Sequence, residues 1–204
     1  MTKACKEKGL DVVQIEKELK AIGETPAASS QDYNIWELGF LAEYILNTHH
    51  KYVVAAIPVI TEYTQKVARV HGERHPEAIE IAGNFQKAAN ELIGHMVKEE
   101  NVLFPYIKKL AEAKKNGTVM EGSLFGTIQN PINMMEMEHE QVGNILEHIK
   151  NLTDSYTPPD DACTTFRLSY AKLKEFEDDL HQQIHLENNI FFPKAAALEK
   201  ELLG

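Results

Sequence analysis

The strongest constraint on how this chain can fold is a phrase that occurs twice. Residues 99–105 read Glu-Glu-Asn-Val-Leu-Phe-Pro and residues 187–193 read Glu-Asn-Asn-Ile-Phe-Phe-Pro, so opening glutamate and closing proline both recur after 88 residues. A repeat at such a spacing signals two copies of one supersecondary unit. Around both copies apolar residues recur at three- and four-residue steps, the period of a helix. Trp36, Phe40, Tyr44, Ile45, Val53, Ile57, Ile60, Tyr63 and Val67 mark one such stripe and are expected in the core. Helices are predicted over 33–70, 76–115, 131–152 and 160–203. They are separated by His71-Gly72 ahead of Pro76, by Asn116-Gly117 and the loop to Gly126, and by the stretch 153–159. Pro58 falls inside the first helix and is expected to kink it. No useful run of alternating β pattern occurs. Four long amphipathic helices with short connections predict an all-α, antiparallel, up-down four-helix bundle over 34–204. Ahead of it, Asp11 can cap a short helix over 11–21 in a small piece spanning 1–24, and the small, polar stretch 25–33 reads as a linker.

Charge narrows the function classes. Lys plus Arg number 21 against 31 Asp plus Glu, a net charge of −10. An acidic surface without a Lys/Arg run repels a phosphate backbone, which argues against nucleic acid and against anionic membranes. The longest apolar stretch, 52–60, is far short of the ~20 residues of a membrane helix. The first residues lack the apolar core of a signal peptide. Cys5 and Cys163 form no CxxC pair, so a cytoplasmic location is expected.

The nine histidines carry the chemical argument. His95 precedes Glu99 by four residues, and on a helix those side chains share a face. The third helix carries His139 within Glu138-His139-Glu140, and 89 residues earlier the first helix carries His50. Each predicted hairpin thus has a His on one arm and a Glu on the other. Measured from the first turn near residue 73, His50 and Glu99 differ in depth by only about 4.5 Å; His139 and Glu187 match more loosely. Imidazoles and carboxylates at mid-bundle depth are costly unless paired or metal-bound, and inward Glu and His from several helices build dinuclear metal sites. The candidate ligands are His50, His95, Glu99, His139 and Glu187. The repeat predicts a sixth at position 183, where a histidine is expected and Gln183 stands. A glutamine amide is a weak, neutral donor. His181 and His185 flank that gap and read as exposed, unless a π-bulge turns one inward. His71, His75 and His148 read as cap or surface residues, and His49 points away from the site. Met134, Met135 and Met137 read as core; Tyr44, Tyr52 and Phe104 are candidates to line the metal pocket.

At these residues the chain resembles a known family. The stretch 95–105 (His-Met-Val-Lys-Glu-Glu-Asn-Val-Leu-Phe-Pro), the Glu138-His139-Glu140 segment and His185-Leu186-Glu187-Asn188-Asn189 are similar to hemerythrin-like di-iron proteins, and more narrowly to the repair-of-iron-centres family. Ala162-Cys163-Thr164-Thr165-Phe166 matches that family's entry into the last helix. The segment 4–11 resembles the end of the family's small N-terminal domain; its opening Cys-Cys pair is absent, so the chain looks like a form lacking that start. The resemblance covers roughly 35–200. It implies a non-haem centre of two irons held by His50, His95, Glu99, His139 and Glu187, with the two glutamates as bridges and an oxo bridge as a further option. The family's sixth ligand is a histidine where this chain has Gln183; a natural variant, a deliberate replacement and altered metal occupancy all stay open on the residues alone.

The implied function is repair of iron–sulfur clusters damaged by nitrosative or oxidative stress, by supplying iron. The implied partners are damaged iron–sulfur proteins or a cluster-assembly scaffold, together with dioxygen and nitric oxide. Three other readings compete: a dioxygen or nitric oxide sensor, a nitric oxide-reducing di-iron protein, and a plain helical interaction module without metal.

Overall fold

The two copies of the repeated phrase each open with a widened, π-helical turn and close by restarting an α-helix at Phe-Pro. This computed structural model describes residues 32–120, 122–123 and 125–203. The predicted helix at 11–21, the piece 1–24, Cys5 and most of the linker 25–33 lie outside them. Among the described residues every regular element is helical, and the one β feature is an isolated bridge between Ser123 and Gly126.

After a 3-10 turn, Tyr33–Ile35, the first rod runs through α1 (Leu38–Ile45), a π turn (Leu46–His50) and α2 (Lys51–His71). The second consists of α3 (Glu77–Lys98), a π turn (Glu99–Leu103) and α4 (Phe104–Asn116). The third is α5 (Gln129–Leu152). The fourth comprises α6 (Thr164–Leu186), a π turn (Glu187–Phe191) and α7 (Phe192–Leu203). The α2 helix packs on α3 and α6, α3 packs on α5, and α4 packs on α1 and α7. This is the all-α four-helix bundle that the periodicity predicts. Pro58 sits within α2 without ending it. None of the helices is long and apolar enough to cross a membrane, among the described residues.

The motif explains the π turns. A proline ring collides with the carbonyl four residues back and brings no N–H. Just before Pro105, the Phe104 N–H reaches back five residues to the Glu99 carbonyl; just before Pro193, the Phe192 N–H reaches the Glu187 carbonyl in the same way. Widening the ladder by one residue gives the ring room. The motif asparagine braces the turn. Asn101 Nδ2 donates to the Val97 carbonyl at 2.7 Å and Asn189 Nδ2 to the His185 carbonyl at 3.2 Å. Asn47 does the same for the Glu43 carbonyl at 2.8 Å in the first rod, where no Phe-Pro closes the turn.

Helix ends follow local chemistry. Gly72 caps α2, and a Cβ there would lie 2.4 Å from the Ala68 carbonyl oxygen, so only glycine fits. Gly117 ends α4 in the left-handed conformation with φ 63°.

The apolar interior is divided in two. One cluster gathers Val53 to Val67, Ala78 to Met96, Val142 to Ile149 and Phe166 to Leu180; the other gathers Leu38 to Ile45, Leu103 to Leu110, Ile128 to Met135 and Leu186 to Ala195. On every rod the polar candidates fall at the boundary between these clusters. Two expectations about the core need correction. Phe40 is 57% exposed, on the outer side of α1 away from its buried stripe of Leu38, Leu41, Ala42 and Ile45, with its ring edge-on to Trp36 at 4.7 Å between centroids. Met134 and Met137 are also exposed; the inward stripe of α5 is Ile132, Met135, His139, Val142, Leu146 and Ile149, which leaves them on its flanks.

Candidate metal centre

Six side chains predicted to share one site do meet between the two apolar clusters: His50, His95, Glu99, His139, Gln183 and Glu187 are each at least 96% buried. His50 ends the first π turn, whereas Glu99 and Glu187 open the second and third. Because a π turn advances about one residue more than an α turn, it re-aims the side chains at its ends.

Glu99 Oε2 lies 3.3 Å from the Nε2 atoms of both His50 and His95. Glu187 offers one oxygen to each end of the site: Oε2 is 3.2 Å from His139 Nε2, and Oε1 is 3.8 Å from His50 Nε2. The Nε2 atoms of His95 and His139 approach to 2.9 Å. Ligand atoms of His95, Glu99, His139 and Glu187 all fall within 4.8 Å of one another.

A partner outside the ring orients each imidazole. The Nδ1–H of His50 donates to Glu100 Oε1 at 2.8 Å, that of His95 to Glu138 Oε2 at 3.0 Å, and that of His139 to Asn188 Oδ1 at 2.9 Å. Lys98 in turn holds Glu138. With Nδ1 committed outward, each ring turns Nε2 to the centre, the nitrogen left to bind a metal once its proton is displaced. Phe104 stacks on His50, with 5.6 Å between centroids, and Phe192 lies parallel to His139 at 6.4 Å. These rings exclude water and lower the local dielectric.

The electrostatics call for a cation. Burial disfavours a charged His50, but the close carboxylates of Glu187 and Glu99 outweigh it and raise its pKa to about 10. Burial acts the same way on His95, and Glu99, Glu187 and Glu138 raise it to about 9. Burial would raise the Glu187 carboxyl, but His139 and His50 hold it well below the usual range. Despite these short distances, His50 Nε2, both oxygens of Glu99, Glu187 Oε2 and Gln183 Oε1 are buried without a hydrogen bond. Leaving such groups unpaired is expensive. Two Nε2 lone pairs at 2.9 Å also repel unless a proton or cation lies between them. Nitrogens ~2.1 Å from one ion and at right angles are about 3 Å apart, so the His95–His139 spacing fits one. The donor set of three imidazoles and two carboxylates fits divalent transition metals.

The remaining predicted residues lie elsewhere. His181 and His185 are exposed, and the π turn begins after them, so it brings neither inward; Gln183 keeps the inward place. His148 pairs with Glu80 on the surface, at 2.7 Å. His71 lies against Cys163 and His75 against Asp161, at the far end of the bundle. His49 faces away from the site as expected, yet it is fully buried against Asp179. Of the candidate pocket residues only Phe104 touches a ring of the site; Tyr44 meets His49 edge-on, and Tyr52 packs on Phe176. Sequence reasoning missed the outer partners Glu100, Glu138 and Asn188. Each stands next to a candidate ligand in the chain but serves a histidine on a different rod.

Comparison with known proteins agrees with this geometry. Residues 41–195 match the hemerythrin HHE cation binding domain. The iron-sulfur cluster repair protein YtfE of Enterobacter sp. (strain 638) is 36% identical over 199 residues, covering 98% of this chain and 84% of that protein. YtfE of Cronobacter sakazakii (strain ATCC BAA-894) is 36% identical over 200 residues, with the same coverage. YtfE of Yersinia pseudotuberculosis serotype IB (strain PB1/+) is 35% identical over 195 residues, covering 96% of this chain and 82% of that one.

Proposed function

The chain belongs to the hemerythrin HHE cation-binding family, and we propose that it is an iron–sulfur cluster repair protein that acts in the cytoplasm through a buried pair of iron ions. The observation that carries this reading is the ring of buried, unpaired donors whose histidines are all turned inward by outside partners. His95 and His139 hold one end and His50 the other, with Gln183 beside it. Glu99 and Glu187 span both. Bound there, ferrous iron supplies an exchangeable metal and one-electron chemistry for a damaged cluster. The residues themselves turn Nε2 of each imidazole toward the centre, through the outer partners of Nδ1, and shield the centre with Phe104 and Phe192. They also hold two carboxylates, Glu99 with neither oxygen hydrogen-bonded and Glu187 with Oε2 free of one. Damaged iron–sulfur proteins, or a scaffold that assembles clusters, receive the iron.

Binding of dioxygen or nitric oxide is a second reading, and one feature favours it. A cleft of about 310 Å³ lined by Val54, Ile57, Pro58, Ile93, Met96 and Val97 reaches Glu100, the partner of His50. It is wide and apolar enough for a diatomic molecule to approach the site.

The test is to load the protein anaerobically with ferrous iron, count bound iron, and mix it with an iron–sulfur enzyme whose cluster nitric oxide has broken. Two irons per chain and recovery of the enzyme without another iron source are expected. The Glu99→Leu/Glu187→Leu double variant should bind none and restore nothing; normal iron content in that variant rejects the proposal.

A further inference from the structure

Resting on the dinuclear reading above, we infer that the two ends of the centre hold metal unequally: the His95–His139 end retains its ion, and the His50–Gln183 end lends one. The difference lies in three features of the site.

The donor count differs first. At one end two imidazoles converge, with Nε2 atoms 2.9 Å apart. At the other, His50 is the sole imidazole among the described residues, and the place of a second is taken by Gln183, whose neutral amide oxygen is a much weaker donor. Among the described residues no contact brings another histidine to this end. His185 is exposed and its Nδ1 meets Asn189 at 3.1 Å, while the Nδ1 of His49 is held by Asp179 at 3.1 Å.

Second, the amide competes for the bridge. Gln183 Nε2 donates to Glu187 Oε1 at 3.1 Å. That is the oxygen facing His50, whereas Oε2, facing His139, accepts no hydrogen bond. The substitution therefore removes a ligand and also occupies an oxygen that would have served the same ion.

Third, the outer partners differ in placement. Glu138, which orients His95, is itself fixed by Lys98 and is four-fifths buried. Glu100, which orients His50, is 43% exposed and borders the apolar cleft. The poorer end thus also faces the more accessible side, where an acceptor of iron can reach it. Such a division suits iron donation: one ion keeps the four rods in register while the other leaves.

The experiment follows release of iron to a ferrous chelator from the anaerobically loaded chain, beside Gln183→His, Gln183→Glu and His139→Ala. The native chain is expected to lose one iron quickly and one slowly. Gln183→His should slow the fast phase about ten-fold or more, since losing even an outer partner of a ligand costs about 10–100-fold in affinity. Gln183→Glu restores a charged donor at nearly the same size and should slow it as well, which guards against a histidine too large to pack. In His139→Ala both irons should leave quickly. Two irons leaving the native chain at one common rate overturn the inference, as does an unchanged fast phase in both Gln183 variants. If neither the native chain nor Gln183→His binds iron, the dinuclear reading itself fails.

Discussion

The second arms of the two hairpins carry the same device and differ in the side chain one turn before it. Both contain Glu-x-Asn-x-x-Phe-Pro, both widen into a π turn just before the proline, and in both the asparagine braces a carbonyl four residues back. Both place the glutamate at the centre of the bundle. One turn earlier, however, the first has His95 and the second Gln183. The backbone device therefore survives a change that alters the chemistry. Geometry here is set by proline sterics and a brace on the main chain, and neither depends on whether position 183 is an imidazole or an amide.

Substitutions in the two arms separate what the turns share from what the ligands supply. The largest effect belongs to the shared glutamate. Glu187→Leu should abolish binding of both irons, because this carboxylate faces both ends; metal analysis finding one iron retained would show that the ends are separable. Next come the outer partners. Glu138→Ala, which frees His95, should weaken iron retention about 10–100-fold, and Asn188→Ala, which frees His139, should act in the same direction through the same end. Competition with a chelator measures both, and no change in either would detach the outer partners from the site.

A third expectation concerns pH. His50 and His95 have folded-state pKa values of about 10 and about 9, raised from 6.5. A raised pKa favours the protonated folded form, so in the apoprotein this contribution is complete below pH 6.5 and declines as pH rises through 9 to 10. Its melting temperature should fall by several degrees across that window, and His50→Leu should flatten the profile. Metal competes with the same protons, so loading an unbuffered sample should acidify it, and apparent affinity should rise with pH. The smallest effect tests the brace. Asn101→Ala and Asn189→Ala should each cost about 1 kcal/mol, seen as a drop of roughly 2–4 °C in thermal unfolding. Equal losses would show that the two turns are equivalent; a marked inequality would mean that one hairpin carries its turn by other means.

Much of this was legible beforehand because it rests on local periodicity. The apolar steps predict four rods whose observed ends fall within a few residues of expectation. The i, i+4 spacing of His95 and Glu99, carried across the 88-residue repeat, predicts a shared face for the six central side chains. The π turns escaped notice, since widening the ladder by one residue over five leaves almost no trace in a hydrophobic pattern. Met134 and Met137 escaped for a related reason: their type says core, but only the rotation of α5 against its neighbours decides which face is buried.

The sequence by itself therefore determined the helices, their order, and which residues stand at one depth, since those follow from covalent spacing and the 1.5 Å rise of a helix. Tertiary structure alone decided that Glu100, Glu138 and Asn188 each serve a histidine on another rod, at separations of 50, 43 and 49 residues. It also decided that His49 is buried against Asp179, and that the amide of Gln183 takes the Glu187 oxygen nearest His50. Those contacts depend on the rotation and approach of neighbouring helices. Packing across the whole bundle sets both, and no local pattern encodes them.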